Sequence, residues 1–177
     1  MTELRVAHTA DLDARTRHAL RELLDLTFDG EFTDEDFSHS LGGMHALLHA
    51  EGTLIGHASV VQRQLLHGDR VLRTGYVEGV AVHPGHQRQG HGGRLMAPLE
   101  RIIREGYELG ALGAAQDAQR LYRGRGWLPW LGPTFALTPA GIVRTPAEDD
   151  AVHVLPVGPA LDRTSGLTCD WRVGDVW

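Results

Sequence analysis

Apolar and polar positions along the chain change period from segment to segment, and the changes outline its elements. Leu4-Arg5-Val6-Ala7-His8-Thr9 alternates and predicts a first strand. Leu12, Ala19, Leu20, Leu23, Leu24 and Leu26 recur at helical spacing and predict a helix from an Asp11 N-cap to about Phe28. Thr33, followed by three acids, reads as the cap of a short helix to about Ser40, which Gly42-Gly43 ends. The apolar runs 44–50 and 54–66 flank Glu51-Gly52-Thr53 and predict a hairpin, and His67-Gly68-Asp69 turns the chain into a long strand over 70–84. Leu95, Leu99, Ile102 and Ile103 predict a helix from about Gly93 to Glu108. A strand at 109–114, a helix from Asp117 to Arg125 stopped by Gly126, and strand pieces at 136–138 and 152–157 complete a mixed α/β order. With no repeat, low-complexity tract or linker in 177 residues, the expectation is one domain over 1–177.

Charge is uneven on this frame. Asp29, Glu31, Asp34, Glu35 and Asp36 form one acidic cluster, Glu148 to Asp150 a second, and Asp170 and Asp175 lie near the end. Residues 83–94 carry Arg, His and Gly but no acid. Any one such cluster is ordinarily a solvated face. A net charge of −6 argues against nucleic acid as a general partner. All 17 basic residues are Arg, a pattern of codon bias more than of function. The lone Cys169 precludes an intramolecular disulfide and fits a reducing compartment. The charged N-terminus lacks a signal-peptide core, and no run of 18 apolar residues predicts a membrane span, so a cytoplasmic location is expected.

Three places carry candidate chemistry. Gln87-Arg88-Gln89-Gly90-His91-Gly92 leaves a strand and enters a helix, where unpaired amides and the helix dipole favour an anion, glycines permit close approach, and Arg88 and Arg94 can add charge. No Gly-Lys-Ser/Thr follows, so this is not a Walker loop, and Arg88 stands where a dinucleotide fingerprint needs glycine. Glu78 lies inside the apolar strand Tyr76-Val77-Glu78-Gly79-Val80-Ala81-Val82. It is a structural ion pair, a solvent-facing residue, or a base for an amine that arrives protonated. Tyr122, one turn before Gly126-Trp127, is either core or a proton donor.

The spacing Gln-x-x-Gly-x-Gly after an apolar strand resembles the acetyl-CoA pyrophosphate loop of the GNAT superfamily of N-acetyltransferases. Four further stretches narrow the resemblance: Gly75-Tyr76-Val77-Glu78-Gly79-Val80-Ala81-Val82, Leu41-Gly42-Gly43-Met44-His45-Ala46-Leu47, the run from Arg125 to Thr134, and Cys169 to Trp177. Together they resemble aminoglycoside 2'-N-acetyltransferases of mycobacterial type, from Ala10 to the end of the chain.

The resemblance implies the GNAT fold: a central mixed, mostly antiparallel sheet with helices on both sides, splayed after Val82 at the acetyl-CoA site. It implies that backbone groups of Val80, Ala81 and Val82 pair with the pantetheine arm, that the Val80 N–H polarises the thioester carbonyl, and that Gln87, Arg88, Gln89, Gly90, His91 and Gly92 hold the pyrophosphate. Glu78 would act as base through water and Tyr122 as acid, in direct transfer with both substrates bound and no metal. A polycationic drug would be held by Glu31, Glu78, Gly79, Gly113, Glu148, Asp175 and the terminal carboxylate of Trp177. A homodimer is implied as well. Four positions depart from the family pattern: Glu31 and Glu148 stand in place of Asp, and Gly113-Ala114 replaces a serine-rich stretch. Two alternatives stay open, namely the same chemistry on another amino sugar or small amine, and a non-catalytic CoA-binding protein.

Overall fold

The computed structural model describes residues 1–177, and the chain forms two compact units. The first comprises Met1–Val61 and Val77–Ile102, the second Gln62–Tyr76 and Ile103–Trp177.

In the first unit, β1 (Thr2–His8) pairs antiparallel with β2 (Met44–Ala50), and β2 with the N-terminal part of β3 (Thr53–His67). Helices α1 (Ala14–Thr27) and α2 (Asp34–His39) lie between β1 and β2 in the chain. The α1 cap is Asp13, not Asp11. Asp11 turns its carboxylate back onto the His8 amide, 3.2 Å away, and closes a one-turn 3-10 helix at Thr9–Asp11. Asp13 then accepts the Thr16 amide at 2.8 Å. At α2 the predicted cap forms as a reciprocal box between Thr33 and Asp36. Leu12, Leu20, Leu23 and Leu24 bury their side chains with Ala7, Leu47, Leu54 and Ala81. Helix α3 (His91–Gly106) starts two residues earlier than its pattern predicts, and Leu95, Met96 and Leu99 on it are fully buried.

β3 and β4 (Arg70–Val82) are hydrogen-bonded neighbours, and each continues from one unit into the other. β4 stops at Val82 because Pro84-Gly85-His86 makes a 3-10 turn, with His83 Nδ1 accepting the Gly85 amide at 3.1 Å.

In the second unit the strand order is β6-β9-β5-β4-β3-β10-β7-β8. These are β5 (Leu109–Gly113), β6 (Leu128–Pro129), β7 (Thr134–Thr138), β8 (Gly141–Arg144), β9 (Val152–Pro156) and β10 (Leu167–Cys169). The β4–β5 and β7–β10 pairs are parallel and the other recorded ladders antiparallel, a mixed, mostly antiparallel sheet. Helix α4 is only Gln119–Arg123. The β4–β5 ladder ends at Tyr76↔Ala111, so β4 parts from β5 after Tyr76 and not after Val82. A left-handed residue inside β4, Gly79 at φ +56°, takes the rest of that strand out of flat ladder geometry. No helix is long and apolar enough to cross a membrane.

Candidate active site

The end of β4 is shaped by Gly79. Its left-handed φ is a conformation that an L side chain adopts only under strain, and a β-carbon at this position would stand 2.9 Å from Ser40 Oγ and 3.3 Å from His57 Nδ1. Glycine here meets both a backbone requirement and a close approach. Half-buried Glu78 precedes it, and Ser59 Oγ donates to the Glu78 carbonyl at 3.3 Å. Val80 and Val82 are half-buried and Ala81 is buried.

Beyond the strand, the loop folds tightly onto its own start. Gln87 Nε2 donates to the Val82 carbonyl at 3.1 Å, so its amide side chain braces the turn. Arg88 and Gly90 both have left-handed φ, +61° and +80°, and with Gln89 they are exposed. The first recorded amide to close the α3 ladder is that of Arg94, onto Gly90 O at 3.3 Å. The amides of His91, Gly92 and Gly93 fall in the first turn, where an α-helix offers its N–H groups no internal acceptor. Such a loop is fitted for a phosphate-like anion. His91 opens the helix with its ring buried. Arg94 is not turned to the loop, since its guanidinium donates to Thr2 Oγ1 at 2.6 Å and serves β1.

The first acidic cluster is largely structural. Asp34 pairs with Arg21 at 2.6 Å and Asp36 belongs to the α2 cap, while Glu31 is exposed on the turn after α1, its amide on Phe28 O.

The second unit carries Gly113, Tyr122, Glu148, Asp175 and Trp177. Tyr122 is buried on α4, its ring edge-on to Trp127 at 6.2 Å between centroids. Burial, with the nearby Asp117 charge, pushes its phenol up to about 12. Of the acids at 148–150, Asp149 is committed to Arg144, at 2.9 and 2.6 Å, and to Thr134, bonds that hold its carboxyl well below the usual range. Half-buried Glu148 is raised, first by burial and then by the charge of Asp175. These two carboxylates therefore share one negative locality.

The segment after β10 is pinned. Arg63, 5% exposed, donates to Asp170 at 2.8 Å and to the Val176 carbonyl at 2.8 Å. The Arg63 and Arg172 guanidiniums lie 4.7 and 5.5 Å from the Tyr76 ring centre. Trp177 is buried, its indole donating to Thr145 Oγ1 at 2.9 Å. Arg172 donates to the main-chain oxygen of Trp177 at 2.6 Å. That main-chain oxygen therefore already has a guanidinium donor. Gly113, at the exposed end of β5, would bring a β-carbon 3.7 Å from the Tyr76 hydroxyl. Cys169 is fully buried, and burial pushes its thiol up to about 11, so it packs as a neutral thiol.

A model of the acetyltransferase (GNAT) family matches residues 10–127, from the turn before α1 through β4 and the loop to Trp127. The chain belongs to the GNAT acetyltransferase family. This acetyltransferase is 51% identical over 177 residues to an aminoglycoside 2'-N-acetyltransferase of Mycolicibacterium fortuitum, across 98% of this chain and 91% of that protein. It is 36% identical over 84 residues to the mycothiol acetyltransferase of Kineococcus radiotolerans, covering 47% of this chain and 26% of that one. In fold it is similar to an acyl-CoA N-acyltransferase from Pseudomonas aeruginosa, with a TM-score of 0.62 at 16% identity over 87% of this chain and 99% of the other. Within this family member, three residues that the motif reading passed over stand behind the bulge: Thr9, His45 and His57. For His45 and His57 the signal is a histidine inside the apolar runs 44–50 and 54–66; Thr9 carries no such signal.

Proposed function

We propose that this enzyme transfers the acetyl group of acetyl-CoA to the 2'-amine of an aminoglycoside, and that residues 1–177 act as one catalytic domain. The observation that carries the reading is the near full-length likeness to an aminoglycoside 2'-N-acetyltransferase, joined to a Gln87–Gly92 loop with left-handed Arg88 and Gly90 and a β4 strand interrupted by left-handed Gly79. The loop amides, with Arg88, hold the pyrophosphate, and backbone groups of Val80, Ala81 and Val82 take the pantetheine arm as a neighbouring strand would. What supports this is the end of the β4–β5 ladder at Tyr76. The Val80 N–H holds the thioester carbonyl.

In the reaction one N–C bond forms, the C–S bond breaks, and the ammonium loses protons. Of the two protons lost, Glu78 accepts the one that frees the amine for attack, through a water, and the one left on the tetrahedral adduct's nitrogen passes by way of solvent, the departing thiolate taking up a proton once released. Tyr122 serves the departing sulfur. A phenol pushed up to about 12 is a weaker acid than an ordinary thiol near 8.5, so it stabilises the leaving group as a hydrogen-bond donor. Glu31, Glu78, Glu148 and Asp175 supply negative charge to the cationic sugar, with Gly79 and Gly113 giving it room. An ammonium entering beside Glu148 and Asp175 offsets the burial and the like charge that raise the Glu148 carboxyl. Trp177 positions that acidic segment. A cytoplasmic location and a homodimer belong to the same reading.

The test is thiol release from acetyl-CoA with aminoglycosides bearing 2'-NH₂ against ones bearing 2'-OH. Release with the first group alone supports the reading, and equal release with both overturns the assigned position. A second reading, transfer to another small amine, draws on the partial likeness to a mycothiol acetyltransferase. It predicts that a cell-extract amine outcompetes the drug.

A further inference from the structure

Behind the bulge of β4 lies a chain of buried polar groups, all in the first unit. Thr9 Oγ1 is 2.7 Å from His45 Nε2, His45 Nδ1 is 2.9 Å from His57 Nε2, and His57 Nδ1 is 2.7 Å from the Gly79 carbonyl. Both rings are fully buried. The direction of every proton follows from the last acceptor. A carbonyl oxygen only accepts, so His57 Nδ1 carries hydrogen. In a neutral ring Nε2 is then bare and must receive a proton from His45 Nδ1–H. By the same rule His45 Nε2 is bare and receives the Thr9 hydroxyl at 2.7 Å, in preference to the Gly43 carbonyl, which lies 3.2 Å from Thr9 Oγ1 and already accepts the Thr9 amide at 2.9 Å. Thr9 Oγ1 in turn accepts the Gly42 amide at 2.8 Å.

Burial holds both imidazoles neutral, lowering His57 to about 3 and His45 to about 4, helped at His45 by the charges of His8 and Arg17. The Gly79 carbonyl and the Val80 N–H belong to one peptide unit. A donor on the oxygen of a peptide draws electron density from its nitrogen and strengthens its N–H as a donor, and such effects accumulate along a chain of bonds aligned in one direction.

We propose that Thr9, His45 and His57 form a one-way hydrogen-bond chain that fixes and polarises the Gly79–Val80 peptide, making His57 a positioning residue for acetyl transfer. The inference rests on the reading that the Val80 N–H holds the thioester carbonyl. It adds that this donor is driven from the far side of the sheet residue, through a side chain that never touches substrate.

The test uses acetyl-CoA labelled with ¹³C at the thioester carbonyl, bound to the whole protein without drug. In the wild type the carbonyl resonance moves downfield of its free position. In His57→Phe at least half of that displacement is lost and kcat falls about 10-fold, the loss of roughly one hydrogen bond, while the affinity for CoA, which lacks the carbonyl, stays within about 2-fold. His57→Asn, whose amide can donate near the Nδ1 position, restores most of the displacement and of kcat. A wild type with no displacement overturns the role given to Val80 and the inference with it. A wild-type displacement that survives unchanged in His57→Phe overturns the inference alone, as does an equal loss of affinity for CoA and acetyl-CoA. Should His57→Phe fail to fold, ¹⁵N NMR of the wild-type histidines decides: Nδ1–H on both rings at pH 7 upholds the chain, and Nε2–H on either, or a charged ring, overturns it.

Discussion

Gly79→Ala tests how tightly the bulge is built. Alanine at φ +56° carries the left-handed cost, about 1 kcal/mol or more. Its β-carbon would lie 2.9 Å from Ser40 Oγ and 3.3 Å from His57 Nδ1. Neither neighbour can withdraw into solvent, since both are fully buried and Ser40 Oγ is tied to the Asp36 carbonyl at 3.1 Å. Strain and overpacking together amount to roughly 2–3 kcal/mol. Urea unfolding should register that loss. Relief by an outward shift of β4 also displaces the Gly79–Val80 peptide, and a misplacement approaching 1 Å at a reacting group costs about 100-fold in rate. Thiol release under saturating substrates should therefore fall by 10- to 100-fold. Adding Ser40→Ala removes the nearer obstacle and should recover about 1 kcal/mol of stability, a coupling measurable in a double-mutant cycle. A Gly79→Ala protein within about 0.5 kcal/mol of wild type and at full turnover would refute the argument that position 79 is held to glycine by both conformation and space.

Other outcomes follow from the same geometry. Glu78→Gln should lower kcat by about 100-fold with little change in KM for acetyl-CoA, and near-normal turnover would remove it as the base. Arg172→Ala frees the Trp177 main-chain oxygen and loosens the segment that carries Asp175, so steady-state kinetics should show KM rising several-fold for the drug and little for acetyl-CoA; equal rises would indicate general misfolding. Stability should fall with acid between about pH 6.5 and pH 4. His45 and His57 stay neutral when folded but bind protons when unfolded, so the unfolded state takes up more protons in that window, at a slope on the order of 1 kcal/mol per histidine per pH unit. Urea titrations of His45→Gln should show a shallower slope there, and an unchanged one would show that the buried pair does not set it.

The loop at 87–92 and the strand before it are legible in the sequence because both signals are local. Glycines two residues apart open a helix, and the apolar strand precedes them without interruption. The short strands β6, β8 and β10 are not legible, because two to four residues cannot establish a period and their partners are distant. Arg63 meets Asp170 across 107 positions. The α1 cap was misread for a local reason: two aspartates compete, and Asp11 is taken by the turn before it. Charge alone does not sort the acids within a cluster: Asp34, Asp36 and Asp149 are spent on Arg21, a helix cap and Arg144. The His45–His57 contact follows from hairpin register. Leu47 opposes His57 and His45 opposes Ser59, which sets the two histidines diagonally on one face of the β2–β3 pair. Reading it required treating a histidine in an apolar run as a buried donor, not as a polar exception.

The most direct measurement of the central claim is the site of acetylation. The enzyme, acetyl-CoA and an aminoglycoside with several amines, one of them at 2', should yield a single product that is one acetyl group heavier by mass spectrometry, with NMR locating that group on the 2' nitrogen. Acetylation at any other nitrogen, a mixture of positions, or unmodified drug after prolonged turnover would contradict the account.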